Sequence, residues 1–191
     1  MKKNIAIFAS GSGSNAENIV KYFSKTPEFS FIIVSNKKDA YVLARAENLG
    51  VKSCFFLKED FVSGEKILDF LLTNHVDFIV LAGFLLKIPA ILIENYPNKI
   101  VNIHPALLPK YGGRGMYGDN VHRAVKAAGE AESGITIHYV NQNYDGGDII
   151  FQARCAIAPT DTPEKIAEKV HRLEYEYFPK IIEKSLKNKI E

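Results

Sequence analysis

The sequence predicts an α/β fold: a mainly parallel sheet with helices on both faces, extended near its C-terminal end by antiparallel strands. Three observations predict it. Short runs of consecutive apolar residues, such as Ile5, Ala6, Ile7 and Phe8, suit strands buried on both faces. These runs alternate with stretches of helical spacing, which is the order of parallel βαβ units. Further on, two neighbouring strand patterns flank Gly146 and Gly147, which reads as a hairpin.

The first strand is expected over residues 4–9. The loop Ser10, Gly11, Ser12, Gly13, Ser14, Asn15 follows, then a helix over residues 16–22. A strand, a glycine-serine loop and a helix together present backbone N–H groups to an anion. The third glycine of the dinucleotide fingerprint is missing and no P-loop lysine follows, so a phosphate monoester suits the loop better than a dinucleotide. A plain tight turn needs the same glycines. Residues 31–34 make a second strand, and a helix over residues 40–49 is stopped by Gly50. A third strand is expected over 51–57. In the helix expected over 65–74, Ile67, Leu68, Phe70, Leu71 and Leu72 supply the core side. The fourth strand, 76–81, ends at Ala82, Gly83 and Phe84.

After a short helix at 90–94 comes the segment that carries the chemistry: Ile100, Val101, Asn102, Ile103, His104, Pro105. Asn102 and His104, two apart on a strand, share a face. Pro105 removes a backbone donor and ends the strand. An amide donor and an imidazole aimed together from a strand's carboxyl end suit a carbonyl group. In parallel sheets ligands bind outside the carboxyl ends of the strands, where Gly11 to Asn15, Gly83, Phe84, Asn102 and His104 all fall.

Residues 110–120 are glycine-rich and irregular, the composition of a mobile flap or of a surface loop without a role. A helix over 121–128 precedes a strand over 134–140, with Ile135, Ile137 and Tyr139 on one face and Thr136 and His138 on the other. In the turn Asn141, Gln142, Asn143, Tyr144, Asp145, Gly146, Gly147, Asp148, either carboxylate can pair with His104. That pairing would raise the imidazole's pKa; an Asx-turn is the plainer fate of Asp before Gly. A strand over 149–157 and a helix begun by Thr162 and Pro163 complete the pattern. The helix carries an apolar stripe of Ile166, Val170 and Leu173, and by pattern His171, Arg172 and Glu174 are solvated.

Composition bounds the function. At 191 residues the chain fits one domain with a large core. The hydrophobic fraction of 47% and the charged fraction of 24% are those of an ordinary globular protein. A net charge of +2 offers no general surface for nucleic acid, so any anion site is local. Cys54 and Cys155 stand far apart among apolar neighbours and are expected as reduced thiols. No His, Cys or carboxylate cluster has metal-ligand spacing, and no metal is expected. The N-terminal run is too short for a signal peptide and no stretch reaches membrane-spanning length, so a cytoplasmic protein without a membrane partner is expected.

The segment Asn102, Ile103, His104, Pro105, Ala106, Leu107, Leu108, Pro109, with Asp145, Gly146 and Gly147 downstream, resembles the formyltransferase family that uses 10-formyltetrahydrofolate. The resemblance covers essentially the whole chain, and the loop from Gly11 to Asn15 is similar to that of members acting on phosphoribosylglycinamide in purine synthesis. It implies a single Rossmann-like domain, Asn102, His104 and Asp145 as catalytic residues, and the folate as co-substrate. It further implies that Gly11, Ser12, Gly13, Ser14 and Asn15 take the substrate phosphate. His171, Arg172, Leu173 and Glu174 would reach the ribosyl-glycinamide. Leu85, Leu86, Lys87 and Ile88, with Asn141, Gln142, Asn143, Tyr144 and Asp145, would line the folate pocket through backbone groups. The resemblance, not spacing, selects Asp145 over Asp148.

Three features depart from that family. Leu85, Leu86, Lys87 and Ile88 replace its usual Met-Arg-Ile-Leu, no arginine stands near residues 58–63, and the 110–120 loop is longer than is common. Two relatives with the same constellation fit less well. A methionyl-tRNA formyltransferase is expected to carry a further C-terminal domain and a more basic surface. A formyltetrahydrofolate hydrolase is expected to carry an N-terminal regulatory one. A non-catalytic phosphosugar-binding module would need the serine-glycine loop but not the triad. A monomer or homodimer acting on small molecules is expected.

Overall fold

The computed structural model describes residues 2–187. The chain divides into two compact units, the first ending at Val101 and the second beginning at Asn102.

The first unit holds strands β1 (Lys3–Phe8), β2 (Phe29–Ser35), β3 (Lys52–Phe55) and β4 (Val76–Leu81). They run β3-β2-β1-β4, and every pairing is parallel. Helices α1 (Ser14–Tyr22), α2 (Tyr41–Asn48), α3 (Asp60–Ser63), α4 (Glu65–Thr73) and α5 (Ala90–Asn95) connect them. Ile5, Ala6, Ile7 and Phe8 are all fully buried although alternate residues point to opposite faces, so β1 is covered on both. Phe8 packs edge-on against Phe61 and Phe84, with ring centroids 6.4 and 5.4 Å away. Each such side chain removed from water contributes roughly 1.5–3 kcal/mol.

Two expectations about this unit need correction. Leu72 is 54% exposed, because Ile67, Leu68 and Leu71 already fill the inward stripe of α4. The third strand is shorter than 51–57 and largely exposed, an end strand carrying Lys52 at its margin.

Strand β5 (Ile100–His104) begins in the first unit and ends in the second. The second unit continues with α6 (Asp119–Ala127), β6 (Glu132–Tyr139), β7 (Ile149–Ala156) and α7 (Pro163–Lys187), with β6 between β5 and β7. Strands β6 and β7 form the expected antiparallel hairpin, pairing Thr136 with Gln152 and His138 with Ile149. Both faces of β6 are buried from Ser133 to His138. The start of α7 is capped as expected, Thr162 Oγ1 accepting from the Lys165 N–H at 3.3 Å. Its buried stripe is Ile166, Val170, Glu174 and Phe178. Leu173 lies beside that stripe and is only half-buried.

Both cysteines are free thiols, as expected. Burial pushes the Cys54 thiol up to about 11, which keeps it protonated and unreactive.

Candidate active site

In the second unit β5 ends with Asn102 and His104 on one face, opposite the polar face of β6. Thr136 and His138 alternate on that face, and both are buried. Thr136 fixes the chain that leaves β5: its hydroxyl donates to the Ala106 carbonyl at 2.7 Å and accepts from the Leu108 N–H at 3.0 Å. His138 is the larger finding. Its Nε2 accepts from the Asn102 side-chain amide at 3.1 Å, while its Nδ1–H donates to the Tyr139 carbonyl at 2.8 Å. These partners assign the neutral tautomer protonated on Nδ1. The Asn102 amide keeps a second N–H.

Asp145 sits in the turn after β6 with a left-handed backbone, φ +50°. Its carboxylate lies 3.6 Å from His104 Nδ1 through one oxygen and 3.6 Å from His138 Nε2 through the other. These are ion-pair distances rather than hydrogen bonds. The Gly113 N–H donates to Asp145 Oδ2 at 2.8 Å. Gly112 allows that approach, since a Cβ there would stand 2.5 Å from the Leu108 side chain and 3.3 Å from Asp145 Cβ. Asp145, not the exposed Asp148, therefore faces the two imidazoles. Burial pushes the Asp145 carboxyl up, but contact with the His138 ring, the positive charge that His104 gains in acid and the Gly113 N–H together outweigh it, and its pKa lies below the usual carboxylate value.

His104 reverses an expectation. Asp145 does favour the imidazolium, but burial is the larger effect and holds the pKa below the ordinary histidine value. His104 is 3% exposed, and its Nε2–H donates to the Tyr111 carbonyl at 2.7 Å. Near neutral pH it is therefore uncharged, with its proton on Nε2 and its Nδ1 lone pair towards Asp145.

The glycine-rich 110–120 segment, expected as a flap or as a loop without a role, is tied to this centre at its start. Tyr111 offers its carbonyl to His104 from a left-handed backbone, φ +57°, and Gly113 donates to Asp145.

The expected binding residues of this unit separate into buried and exposed groups. On α7, Glu174 is 4% exposed and not solvated as its pattern suggested, because it occupies the stripe position one helical turn after Val170. His171 Nδ1–H donates to Glu174 Oε2 at 2.8 Å, and this bond raises the His171 pKa. His122, on α6, is buried with its ring 6.4 Å from that of His171, and its Nδ1 has no hydrogen-bond partner among the described residues. Burial, then the neighbouring His171, lowers its pKa. Arg172 is exposed and Leu173 half-buried. Asn141, Gln142, Asn143 and Tyr144 form an exposed turn, held by Asn141 Oδ1 accepting from the Asn143 N–H at 2.8 Å.

In the first unit, the loop from Gly11 to Asn15 leads from β1 into α1. Gly13 has φ +73°, and a Cβ on it would stand 2.2 Å from Val42 Cγ2, so glycine is required there. Arg45, from α2, donates through Nε to the Ser12 carbonyl at 2.8 Å and pairs with Glu17. Ser10 ties this loop to the segment after β4: its N–H donates to the Gly83 carbonyl at 3.1 Å, and its Oγ accepts from the Leu85 N–H at 2.9 Å. Leu85 and Lys87 are exposed, Leu86 is half-buried and Ile88 is buried. Of the expected first-unit residues, Gly11 to Asn15 and Leu85 to Ile88 thus lie at one end of the strands.

His138, Glu174's burial, His122, Arg45 and the backbone groups of Tyr111 and Gly113 are what the sequence did not single out. Among the described residues no group of three His, Cys, Asp or Glu side chains is arranged to hold a metal ion, and no helix is long and apolar enough to cross a membrane.

The centre joins an amide donor, a neutral imidazole and an ionised carboxylate, a set suited to acyl transfer. Comparison with known proteins agrees. A family model described as formyl transferase matches residues 3–182. A chloroplastic phosphoribosylglycinamide formyltransferase of Arabidopsis thaliana is 38% identical over 95% of this chain, which spans 64% of that relative's length. One from Haemophilus influenzae is 37% identical over 94% of this chain and 85% of its own. The crystal structure of phosphoribosylglycinamide formyltransferase from Anaplasma phagocytophilum superposes with a TM-score of 0.86 at 31% identity, over 96% of this chain and 86% of that one. The chain belongs to the formyl transferase family of enzymes, which take their acyl group from a formyl donor.

Proposed function

We propose that this formyl transferase moves the formyl group of 10-formyltetrahydrofolate to the amine of phosphoribosylglycinamide, a step of purine synthesis. The observation that carries the reading is the joint placement of Asn102, His104 and Asp145, linked through His138. The amine attacks the formyl carbon, and negative charge develops on the carbonyl oxygen. The second N–H of Asn102 is the donor for that oxygen. His104, kept neutral by burial and aligned by Tyr111, takes the proton released as the amine becomes an amide. Asp145, ionised beside it, stabilises the imidazolium during that interval. The proton then passes to N10, directly or through water, as tetrahydrofolate leaves. Gly11 to Asn15 take the phosphate, and His171, Arg172, Leu173 and Glu174 take the ribosyl-glycinamide. Leu85 to Ile88 and Asn141 to Asp145 take the folate. Holding both substrates supplies much of the rate. We further place the enzyme in the cytoplasm, as a single-domain protein acting as monomer or homodimer.

The test is incubation of the chain with 10-formyltetrahydrofolate, following folate deformylation with and without phosphoribosylglycinamide. Turnover is expected only with both. Deformylation without the nucleotide would instead identify a hydrolase, and none in either case a binding module.

A further inference from the structure

The short stretch 109–112 runs between anchored backbone groups. Before it, the Leu108 N–H donates to Thr136 Oγ1 at 3.0 Å, and the Leu108 carbonyl accepts from Gln152 Nε2 at 3.0 Å. After it, the Gly113 N–H donates to Asp145 Oδ2 at 2.8 Å. Within it stands Tyr111, whose carbonyl accepts from His104 Nε2 at 2.7 Å. The Tyr111 backbone is left-handed, φ +57°, which a residue with a bulky side chain keeps only where its surroundings hold it. Packing supplies only part of that hold. Lys110 and Tyr111 border a cavity of about 230 Å³, walled also by Leu107, Val125 and Glu130, and on that side they lack close-packed neighbours.

Glu130 supplies the rest. One of its oxygens, Oε1, accepts from the Tyr111 hydroxyl at 2.8 Å and from Lys110 Nζ at 2.9 Å. The bond from Lys110, then that from Tyr111, keeps the Glu130 carboxyl below its usual pKa, so it is a charged acceptor near neutral pH. Helix α6 sets its position. The Glu130 N–H donates to the Val125 carbonyl at 3.4 Å, and Val121, His122 and Val125 bury that helix. The following residue is tied to the chain after β7, the Ala131 carbonyl accepting from the Ile157 N–H at 2.9 Å. The two bonds to Glu130 are unequal in consequence. Lys110 is 68% exposed, and an exposed ion pair contributes little. The Tyr111 hydroxyl belongs to the same residue whose carbonyl holds His104.

We propose that Glu130 is a positioning residue for formyl transfer: by holding the Tyr111 hydroxyl it fixes the Tyr111 carbonyl, which in turn keeps the His104 proton on Nε2. The effect on turnover rests on the reading of His104 as the base. The effect on the His104 ring does not.

The experiment measures ring resonances of the full chain, labelled with 15N in its histidines, alongside steady-state kinetics with both substrates. Wild-type His104 is expected to show the pattern of the Nε2–H tautomer. Tyr111→Phe keeps the aromatic ring and removes the hydroxyl, and Glu130→Ala removes the acceptor. Each should move His104 towards a mixture of tautomers and lower kcat about tenfold with little change in KM, as small misplacements of a reacting group do. The double variant should lose no more than either single one, since both cut the same link. Glu130→Gln, whose amide oxygen still accepts from the hydroxyl, should keep most of the turnover and the wild-type ring pattern. Lys110→Met should stay near wild type in both. A His104 ring unchanged in Tyr111→Phe and Glu130→Ala overturns the proposal, as does a Glu130→Gln variant that behaves like Glu130→Ala. A loss in Lys110→Met as large as that in Tyr111→Phe overturns the route through the hydroxyl. Altered rings with wild-type kcat support the link to His104 and overturn the reading of His104 as the base.

Discussion

The two nitrogens of the His104 imidazole face different parts of the chain: Nε2–H donates to the Tyr111 carbonyl at 2.7 Å, and Nδ1 stands 3.6 Å from Asp145. One contact fixes the ring, and the other leaves a lone pair beside a carboxylate. In the proposed mechanism, a base arranged this way gains its proton only while a positive charge is useful. His104→Ala removes the group and Asp145→Asn the stabilising charge. Each is expected to lower turnover by at least about a hundredfold, the usual contribution of a positioned acid–base group. The Michaelis constants should change little, and steady-state kinetics with both substrates measures the split.

His138 acts on two of the proposed catalytic groups at once. Its Nε2 accepts from Asn102 and lies 3.6 Å from Asp145. His138→Ala would leave the Asn102 amide free to rotate away from the formyl oxygen. Turnover is expected to fall about tenfold or more, since a lost oriented donor costs that much in related chemistry. His138→Gln, which offers an acceptor at similar reach, should restore part of it. Equal kinetics for the wild type and His138→Ala would show that Asn102 holds its position without help.

The fold was legible because its dominant signal is physical. A run such as Ile5 to Phe8 has no polar alternation, is too short for a helix and leads into a glycine-serine turn, which together mark a strand covered on both faces. The strand of the candidate site was legible for the opposite reason, since Asn102 and His104 interrupt an apolar strand at one face. His138 was placed on the correct face of β6 by alternation, but a polar face ordinarily reads as solvent, and only its burial makes it part of the centre. Glu174 is similar: its spacing from Val170 put a carboxylate on the buried stripe, where charge normally argues for water. Tyr111 and Gly113 contribute backbone groups, which carry no residue-type signature. The direction of the His104 pKa depends on burial outweighing Asp145, a balance that spacing does not contain.

Those pKa directions predict how stability varies with pH. His104 and His122 are buried with pKa values below the ordinary one of about 6.5, so the unfolded chain binds protons first as pH falls. Their neutral, folded forms are unpenalised above about pH 6.5, and stability is lost as pH falls from there towards the folded pKa values. His171 has the opposite sign: its bond with Glu174 contributes fully below the unfolded pKa and is lost as pH rises through the raised, folded one. Urea midpoints measured across this range should fall on the acid side for the wild type. The fall should be smaller in His122→Asn, which has nothing to protonate.

Glu174→Gln separates charge from packing on α7. The amide keeps the shape of a side chain that is 4% exposed but removes the charge holding the His171 proton. The His171 pKa should drop towards the ordinary value. The His104 pKa should also move down, because Glu174 raises it at present. Both are read from imidazole resonances in one NMR titration. A His171 pKa unchanged in the variant would show that its proton is held by something other than Glu174.

Gly13→Ala tests the loop between β1 and α1 without touching any charge. The position has φ +73°, and the added Cβ would stand 2.2 Å from Val42 Cγ2 and 2.9 Å from Val42 Cα. Backbone as well as side chain must therefore move. Left-handed strain and overpacking together should cost about 2–4 kcal/mol of stability. Val42 also donates its N–H to the Gly11 carbonyl at 3.1 Å, so the displacement is transmitted directly into the loop. Arg45, which donates to the Ser12 carbonyl, is on the same helix and moves with it. If the loop takes the phosphate, the Michaelis constant for phosphoribosylglycinamide rises in this variant while that for the folate stays close to wild type. Parallel changes in both constants would place the phosphate elsewhere.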